Sequence, residues 1–281
     1  MSPASRPALV PLTIAGRCFE WGSRTYVIGV INVSPDSFSG DGLASVDEAV
    51  RQAVGFAAAG ADILDVGGES TRPGFAGITV DEELSRVIPV IERIAREVDV
   101  PLSVDTYKSV VAGEALDAGA HLVNDIWGFR HDHEMASLCA QRGVPAILMH
   151  NQRGREFHDV VDDILDGWGE SLKIAAAAGV DRTSLMVDPG FGFGWQVEQN
   201  VEILRRLKEL TTIGLPILVG TSRKSTLGHL TGREVDQRLP ATAASIALAI
   251  ANGADLVRVH DVEEMVDVCR VSDAVVRGYE A

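Results

Sequence analysis

Three cysteines in 281 residues, Cys18, Cys139 and Cys269, are too few, too far apart and odd in number for a disulfide framework. They fall in no metal-ligand spacing either, so they read as reduced core thiols of a cytoplasmic protein. Positive charge is scarce: 25 Lys and Arg stand against 40 Asp and Glu, a formal net charge of −15. Such a chain offers no dense basic face to nucleic acid or to an anionic membrane. A small phosphorylated ligand is not excluded, because it needs only a local cluster of cations. No apolar run approaches the ~20 residues of a membrane span. The opening MSPASRPALVPL lacks a long apolar region after a basic start, so no signal peptide is expected. No linker or low-complexity tract interrupts the chain, which argues for a single domain over 1–281. Hydrophobic residues at 46% and charged residues at 23% suit one sizeable core.

What is present is a repeating unit. AGADILDV (59–66), AGAHLVND (118–125) and NGADLVRV (252–259) share one plan: a helix end, Gly, a small residue, a polar residue, then an apolar strand. Gly suits the left-handed position just past a helix, and β-branched runs suit buried parallel strands. YVIGVIN (26–32), PLSVD (101–105), PAILMH (145–150), SLMVD (184–188) and PILVG (216–220) have the same apolar character. Helix-like segments separate these eight strands, and VEEMVDVCRVSDAVVRGY closes the chain. Eight alternating units with buried strands predict a (β/α)8 TIM barrel. A doubly wound open sheet is the other candidate, but no GxGxxG follows the first strand. Residues 9–25 look like a short hairpin that plugs the bottom of the barrel, within an N-terminal extension of 1–25.

In such a barrel, chemistry belongs at the carboxyl ends of the strands. Asn32, Asp65, Asp105, Asn124 with Asp125, His150, Asp188, Ser222 to Lys224, and Arg258 with His260 are found there. Strand-end Asp and Asn also cap helices and start turns, and that structural reading is strongest for Asp65 and Asp125. Polar ends on nearly every strand, all toward one rim, are harder to assign to capping alone. NVSPDSFSGDG (32–42) and GGESTRPG (67–74) are long for minimal connections and lie on the same rim, as lids do, although a solvated loop has the same composition. The cations Arg72, Arg223, Lys224 and Arg258, with His260, gather there too, which marks a site for an anion. Position alone would give Lys224 to a phosphate. DPGFGFG (188–194) poses a separate question: why an acid at a strand's end precedes a loop of alternating Gly and Phe.

GVINVSPDSFSGDG, VGGESTRPG, SVDT, VNDIWG, DPGFGFG, GTSRKSTLG and RVHDV occur in the order, and on the strands, of the dihydropteroate synthase family. The chain resembles that family from about Tyr26 to its C-terminus, and seven motifs together are far more specific than any one. The resemblance implies condensation of (7,8-dihydropterin-6-yl)methyl diphosphate with 4-aminobenzoate, in a homodimer. It assigns Asp188 to the pterin's pyrimidine edge, where two acceptor oxygens match two parallel N–H donors. Asn124 and Asp105 share that pocket, with Met149 as an apolar wall, although core packing explains Met149 equally well. Lys224 then turns to pterin oxygen and nitrogen, with Ser222, Arg223 and Phe193 nearer the aminobenzoate. Thr71 and Arg72 fall near the substrate, and Arg258 and His260 take the diphosphate. Asn32 would complete a Mg²⁺ site held mainly by diphosphate oxygens and water. One departure stands out: the family usually continues DPGFGFG with Lys, and this chain has Trp195. Trp195 is expected to be peripheral, on the loop's outer wall beside Phe193 or against the following helix. A pterin-binding paralogue without turnover and a methyltetrahydrofolate–corrinoid methyltransferase are the competing functions. The second has no use for the SRK and RVH cations.

Overall fold

The computed structural model describes residues 6–33, 45–70 and 77–279. Eight parallel strands form one sheet: β3 (Tyr26–Asn32), β4 (Ile63–Gly67), β5 (Leu102–Asp105), β6 (Leu122–Asp125), β7 (Ala146–Met149), β8 (Leu185–Asp188), β9 (Leu218–Val219) and β10 (Leu256–Val259). Neighbours in sequence are neighbours in space from β3 to β8, and β10 lies between β3 and β9. The two ends of the sheet meet where Val187 bridges Ile217 and its N–H donates to the Pro216 carbonyl at 2.9 Å. That contact closes the barrel, as the eight-fold repeat predicts.

Helices alternate with the strands: α1 (Val46–Ala59), α2 (Val80–Glu97), α3 (Ser109–Asp117), α4 (Glu134–Arg142), α5 (Val160–Ala178), α6 (Val197–Leu210), α7 (Ser225–Thr231), α8 (Leu239–Ala251) and α9 (Val262–Val276). Side-chain caps start several of them: Ser45 accepts from the N–H of Glu48, Thr79 from Glu82, and Asp159 from Val161 and Asp162. Gly60, Gly119 and Gly253, the glycines of the repeated lead-in, take φ values of 102°, 116° and 104°. Only glycine adopts that backbone freely, so the repeat marks the turn from helix into strand. Helix α7 was not foreseen; it begins inside GTSRKSTLG, where the glycine-rich motif hides a short helical register.

The barrel interior has a floor. Tyr26, Ile28, Ile63, Leu122, Ile147, Met186, Leu218 and Leu256 pack with Ile14 and Phe19 of the N-terminal hairpin, β1 (Leu12–Ile14) and β2 (Arg17–Phe19). Rings of Phe19 and Tyr26 lie 4.8 Å apart, which fastens the plug to the first barrel strand. The larger apolar cluster, between strands and helices, holds the alternate residues such as Leu64, Val66, Val123, Leu148 and Val187. Cys139 and Cys269 are buried in it as expected, and burial pushes both thiols up to about 12. Cys18 departs from expectation: it lies exposed on the hairpin, whose short strands cover the floor with only one face. Among the described residues, no helix is long and apolar enough to cross a membrane.

Candidate active site

Side chains alternate along a strand, so two residues beyond a floor residue the chain faces the interior again, one layer nearer the rim. Two steps from Leu122, Ile147, Met186, Leu218 and Leu256 come Asn124, Met149, Asp188, Gly220 and Arg258. All five line one pocket at the carboxyl end of the barrel. Asp105, Ser222, Lys224 and His260 complete its polar wall, with Ile126 and Phe193 as apolar sides. The expected residues from five different strands therefore converge.

Arg258 ties the pocket together. Its Nε donates to Asp65 and its Nη2 to Asp105, both at 2.7 Å, while Asn124 Nδ2 donates to the same Asp65 oxygen at 2.9 Å. Burial raises the proton affinity of Asp105, opposed by Arg258 and reinforced by the negative charges of Asp65 and Glu83. Burial likewise raises Asp188, against the pull of Lys224. The Lys224 ammonium donates to the Phe191 carbonyl and sits 4.7 Å from the centre of the Phe193 ring. Desolvation lowers its pKa to about 8, although Asp188 counteracts. His260 Nδ1 lies 2.9 Å from the Ser222 hydroxyl.

The alternating glycines of DPGFGFG have a steric cause. Gly190, Gly192 and Gly194 all have positive φ, between 73° and 87°. A Cβ at Gly190 would fall 1.9 Å from the His150 carbonyl oxygen, and one at Gly194 would fall 2.5 Å from the Arg153 nitrogen. The loop thus folds tightly against the β7–α5 connection, while the Gly190 N–H donates to Asp188 Oδ1 at 2.7 Å and holds that carboxylate still. Asp188 Oδ2 keeps no hydrogen bond among the described residues.

Three expectations change. Asp65 is not a cap: it lies on the inward face, one step above Ile63, and anchors Arg258. Asp125 keeps its structural reading: it starts the turn after β6, accepting from the N–H groups of Trp127 and Phe129 at 2.8 and 2.7 Å. Arg223 does not line the pocket; a left-handed backbone (φ 57°) turns its guanidinium onto Asp261. Trp195 is not on the outer wall, and its carbonyl accepts from Asn200 of the following helix at 3.2 Å. It is buried over His150, ring centres 5.5 Å apart, with Phe157 edge-on at 6.4 Å. His150 itself is fully buried and bonded to Gln152, outside the pocket lining. Thr71 and Arg72 lie outside the described residues. Asn32 stands half-buried at the end of β3, opposite Gly67 of β4. Among the described residues, no three His, Cys, Asp or Glu cluster to hold a metal. The reading of the residues missed Ile126 and Gly220 as lining, and for Gly220 the two-residue step from Leu218 was the available signal.

Comparison with known proteins identifies the family. A family model described as "Pterin binding enzyme" matches residues 28–260. The dihydropteroate synthase of Bacillus subtilis is 46% identical over 91% of this chain and 90% of its own. Among solved structures, the Yersinia pestis dihydropteroate synthase with a sulfonamide drug is 40% identical, with a TM-score of 0.90 over 95% of this chain and 99% of that one. The Xanthomonas albilineans dihydropteroate synthase in complex with 7,8-dihydropteroate is also 40% identical, with a TM-score of 0.84 over 94% and 98%.

Proposed function

The chain belongs to the pterin-binding enzyme family, as a dihydropteroate synthase, and on that premise we propose which residues perform its reaction. It condenses (7,8-dihydropterin-6-yl)methyl diphosphate with 4-aminobenzoate to 7,8-dihydropteroate and diphosphate, a step of folate biosynthesis. One observation carries the residue assignment: Asp188, Asn124 and Lys224 meet in a single pocket between Met149, Ile126 and Phe193. That combination suits a flat, apolar-faced ring with polar edges.

Asp188 accepts the two parallel N–H donors of the pyrimidine edge. Its oxygens have the capacity, since only Oδ1 is engaged, by Gly190. Asn124 commits one amide hydrogen to Asp65, so its oxygen and its second hydrogen remain for the ring. Lys224 donates to pterin oxygen and nitrogen, and Met149 supplies the wall beneath the ring. Arg258 and His260 bind the diphosphate, whose charge grows as the C–O bond breaks, so their attraction strengthens most in the transition state. The methylene carbon gains cationic character spread over the pterin, which Asp105 and Asp188 stabilise. The aryl amine, held beside Phe193 and Ser222, forms the C–N bond and loses its proton. No protein nucleophile is required. Turnover of the pterin diphosphate that depends on aminobenzoate tests the whole reading, and its absence would mark a binding paralogue.

The donor set at Asn32 fits Mg²⁺ only as a partner to substrate. A single neutral amide oxygen, with no carboxylate cluster beside it among the described residues, must leave most coordination positions to diphosphate and water. When bound, the ion would neutralise leaving-group charge. The homodimer is proposed to form through α6, α7 and α8, where Leu204, Leu227, Leu230 and Leu248 line an apolar face. Leu230 and Leu248 are 57% and 58% exposed there, and an apolar face of this kind is characteristic of subunit contacts. Leu248→Glu should shift sedimentation to the monomer; an unchanged coefficient would place the contact elsewhere. A cytoplasmic setting belongs to the same proposal and agrees with the unpaired thiols of Cys139 and Cys269.

A further inference from the structure

A second cleft opens beside the pocket, on the rim above β6 and β7. Trp127 and Arg130 line it from the β6–α4 loop, Arg153 and Arg155 from the β7–α5 loop, and Glu170 and Lys173 from α5. Four cations thus face one carboxylate, in a chain whose net charge is −15. Glu170 accepts from Arg155 at 2.8 and 3.0 Å and from Arg130 at 3.3 Å, so two guanidinium groups share a single acid. Arg130 is only 12% exposed, and its Nη2 is buried without a hydrogen-bond partner. Burial lowers the pKa of Arg130, with the positive charge of Arg155 adding to it, and burial lowers that of Arg153. Of the other nearby acids, Asp163 and Asp166 act on Arg155 and Asp125 acts on Arg130 only through space, and none of them hydrogen-bonds these guanidinium groups. Asp125 takes the N–H groups of Trp127 and Phe129, Asp132 those of Ser109 and Glu134, and Asp163 that of His158. Desolvated cations with too few acids are unfavourable alone and are relieved by an anion.

We propose that this cleft is a second anion site, built for a phosphate-bearing small molecule and separate from the diphosphate end of the active site. Guanidinium forks match phosphate oxygens two at a time, and three arginines with a lysine suit a group carrying several negative charges. Trp127 offers a flat side to any ring attached to the phosphate. The cleft lies across the barrel from Asn32, Arg258 and His260, which stand on β3, on β10 and just beyond it. Its link to the pocket is Phe193, whose ring lies under Arg153 at 4.9 Å on one hand and near Lys224 on the other.

Calorimetric titration of the full chain with magnesium-free inorganic diphosphate tests the site. The wild type should bind twice per chain. Arg155→Gln with Lys173→Glu should weaken one event by about tenfold or more while dihydropteroate formation continues, which also shows that the variant folds. Arg258→Ala should remove the other event. ATP in place of diphosphate separates the two sources of the phosphate: equal affinity points to the phosphate chain alone, and tighter binding to a ring against Trp127. A single event abolished by Arg258→Ala overturns the proposal, as does a second event untouched by the double variant. If Arg258→Ala spares both events while the double variant removes one, the cleft stands and the role given to Arg258 in the active site fails.

Discussion

Replacing Asp188 by Asn keeps the size of the side chain and removes only charge and one acceptor, so the structure itself sets the consequence. The carboxylate is 7% exposed, with Oδ1 fixed on the N–H of Gly190. If the amide oxygen of Asn takes that place, its N–H₂ points at the pterin's own donors. If the amide flips, its N–H₂ opposes the Gly190 N–H in a buried position. Either orientation leaves two donors face to face. Truncating one partner of a desolvated charged pair costs about 2–5 kcal/mol, which is a loss of pterin affinity of about 30-fold or more. Stability should move the other way. Burial raises the folded-state pKa of Asp188 above that of an ordinary carboxyl. The ionised group therefore favours the unfolded chain, and this cost is in place once the pH has risen through the folded value. Asn never ionises, so at neutral pH the variant should melt no lower than the wild type, less whatever Lys224 loses with its partner. Calorimetry with a pterin ligand and a thermal melt measure both quantities. Unchanged affinity would remove Asp188 from the pterin site, and a variant that melts far below the wild type would refute the desolvation argument.

Four further outcomes follow from the same geometry. Lys224, held near 8 by burial, should give kcat/KM for the pterin substrate an alkaline limb around that pH, and Asp188→Asn should move the limb lower by removing the neighbouring negative charge. Because the native ammonium releases its proton before the unfolded one, Lys224 should make the fold gain stability as pH climbs from about 8 toward 10.5; a flat melting temperature across that window would contradict its burial. Arg258→Ala or His260→Ala should weaken diphosphate binding more than free pterin binding and lower turnover most, whereas equal losses for pterin alcohol and pterin diphosphate would contradict the assignment. Trp195→Lys should retain turnover in its folded fraction while losing stability by about 3 kcal/mol or less, since the lysine stem recovers part of the buried contact with His150 and Phe157. An inactive wild type revived by that substitution would instead mark a protein that binds pterin without turning it over.

Much of the barrel was legible because each strand obeys one local rule. Apolar strands behind a Gly in the left-handed region repeat three times, and the strands between them carry the same buried character. The site was legible for the same reason: Leu122 to Asn124, Ile147 to Met149, Met186 to Asp188 and Leu256 to Arg258 are each one step of a two-residue period. That rule fails where both faces of a strand are buried. In β4, Leu64 and Val66 face the helices while Ile63 and Asp65 face the barrel, and all four are inaccessible. Hydropathy alone cannot say which face is inside, so Asp65 passed for a helix cap. Arg223 and Trp195 were misplaced for a different reason. Their directions come from partners far away in sequence, Asp261 in one case and His150 with Phe157 in the other. No local pattern encodes such a contact.

The charges of the pocket decide between the two ligands that the sequence offers Lys224. Position after a late barrel strand suggests a phosphate ligand, and the family resemblance suggests pterin. In the structure Lys224 hangs over the glycine loop, bonded to the Phe191 carbonyl and drawn toward Asp188, while Arg258 spans Asp65 and Asp105. Two carboxylates and two cations line the pocket, with Asp65 buried beneath Arg258, so no surplus positive charge is left in its depth. Such a site offers little attraction to a diphosphate seated deep within it, yet its carboxylates favour the positive charge that the pterin methylene acquires. An anionic leaving group belongs at the mouth, where Arg258 and His260 follow one another on β10 and just past it. Lys224 is then too deep for phosphate and well placed to keep Asp188 ionised against the pull of burial. The ammonium serves the pterin twice, as a donor to the ring and as the charge that keeps its principal acceptor an acceptor.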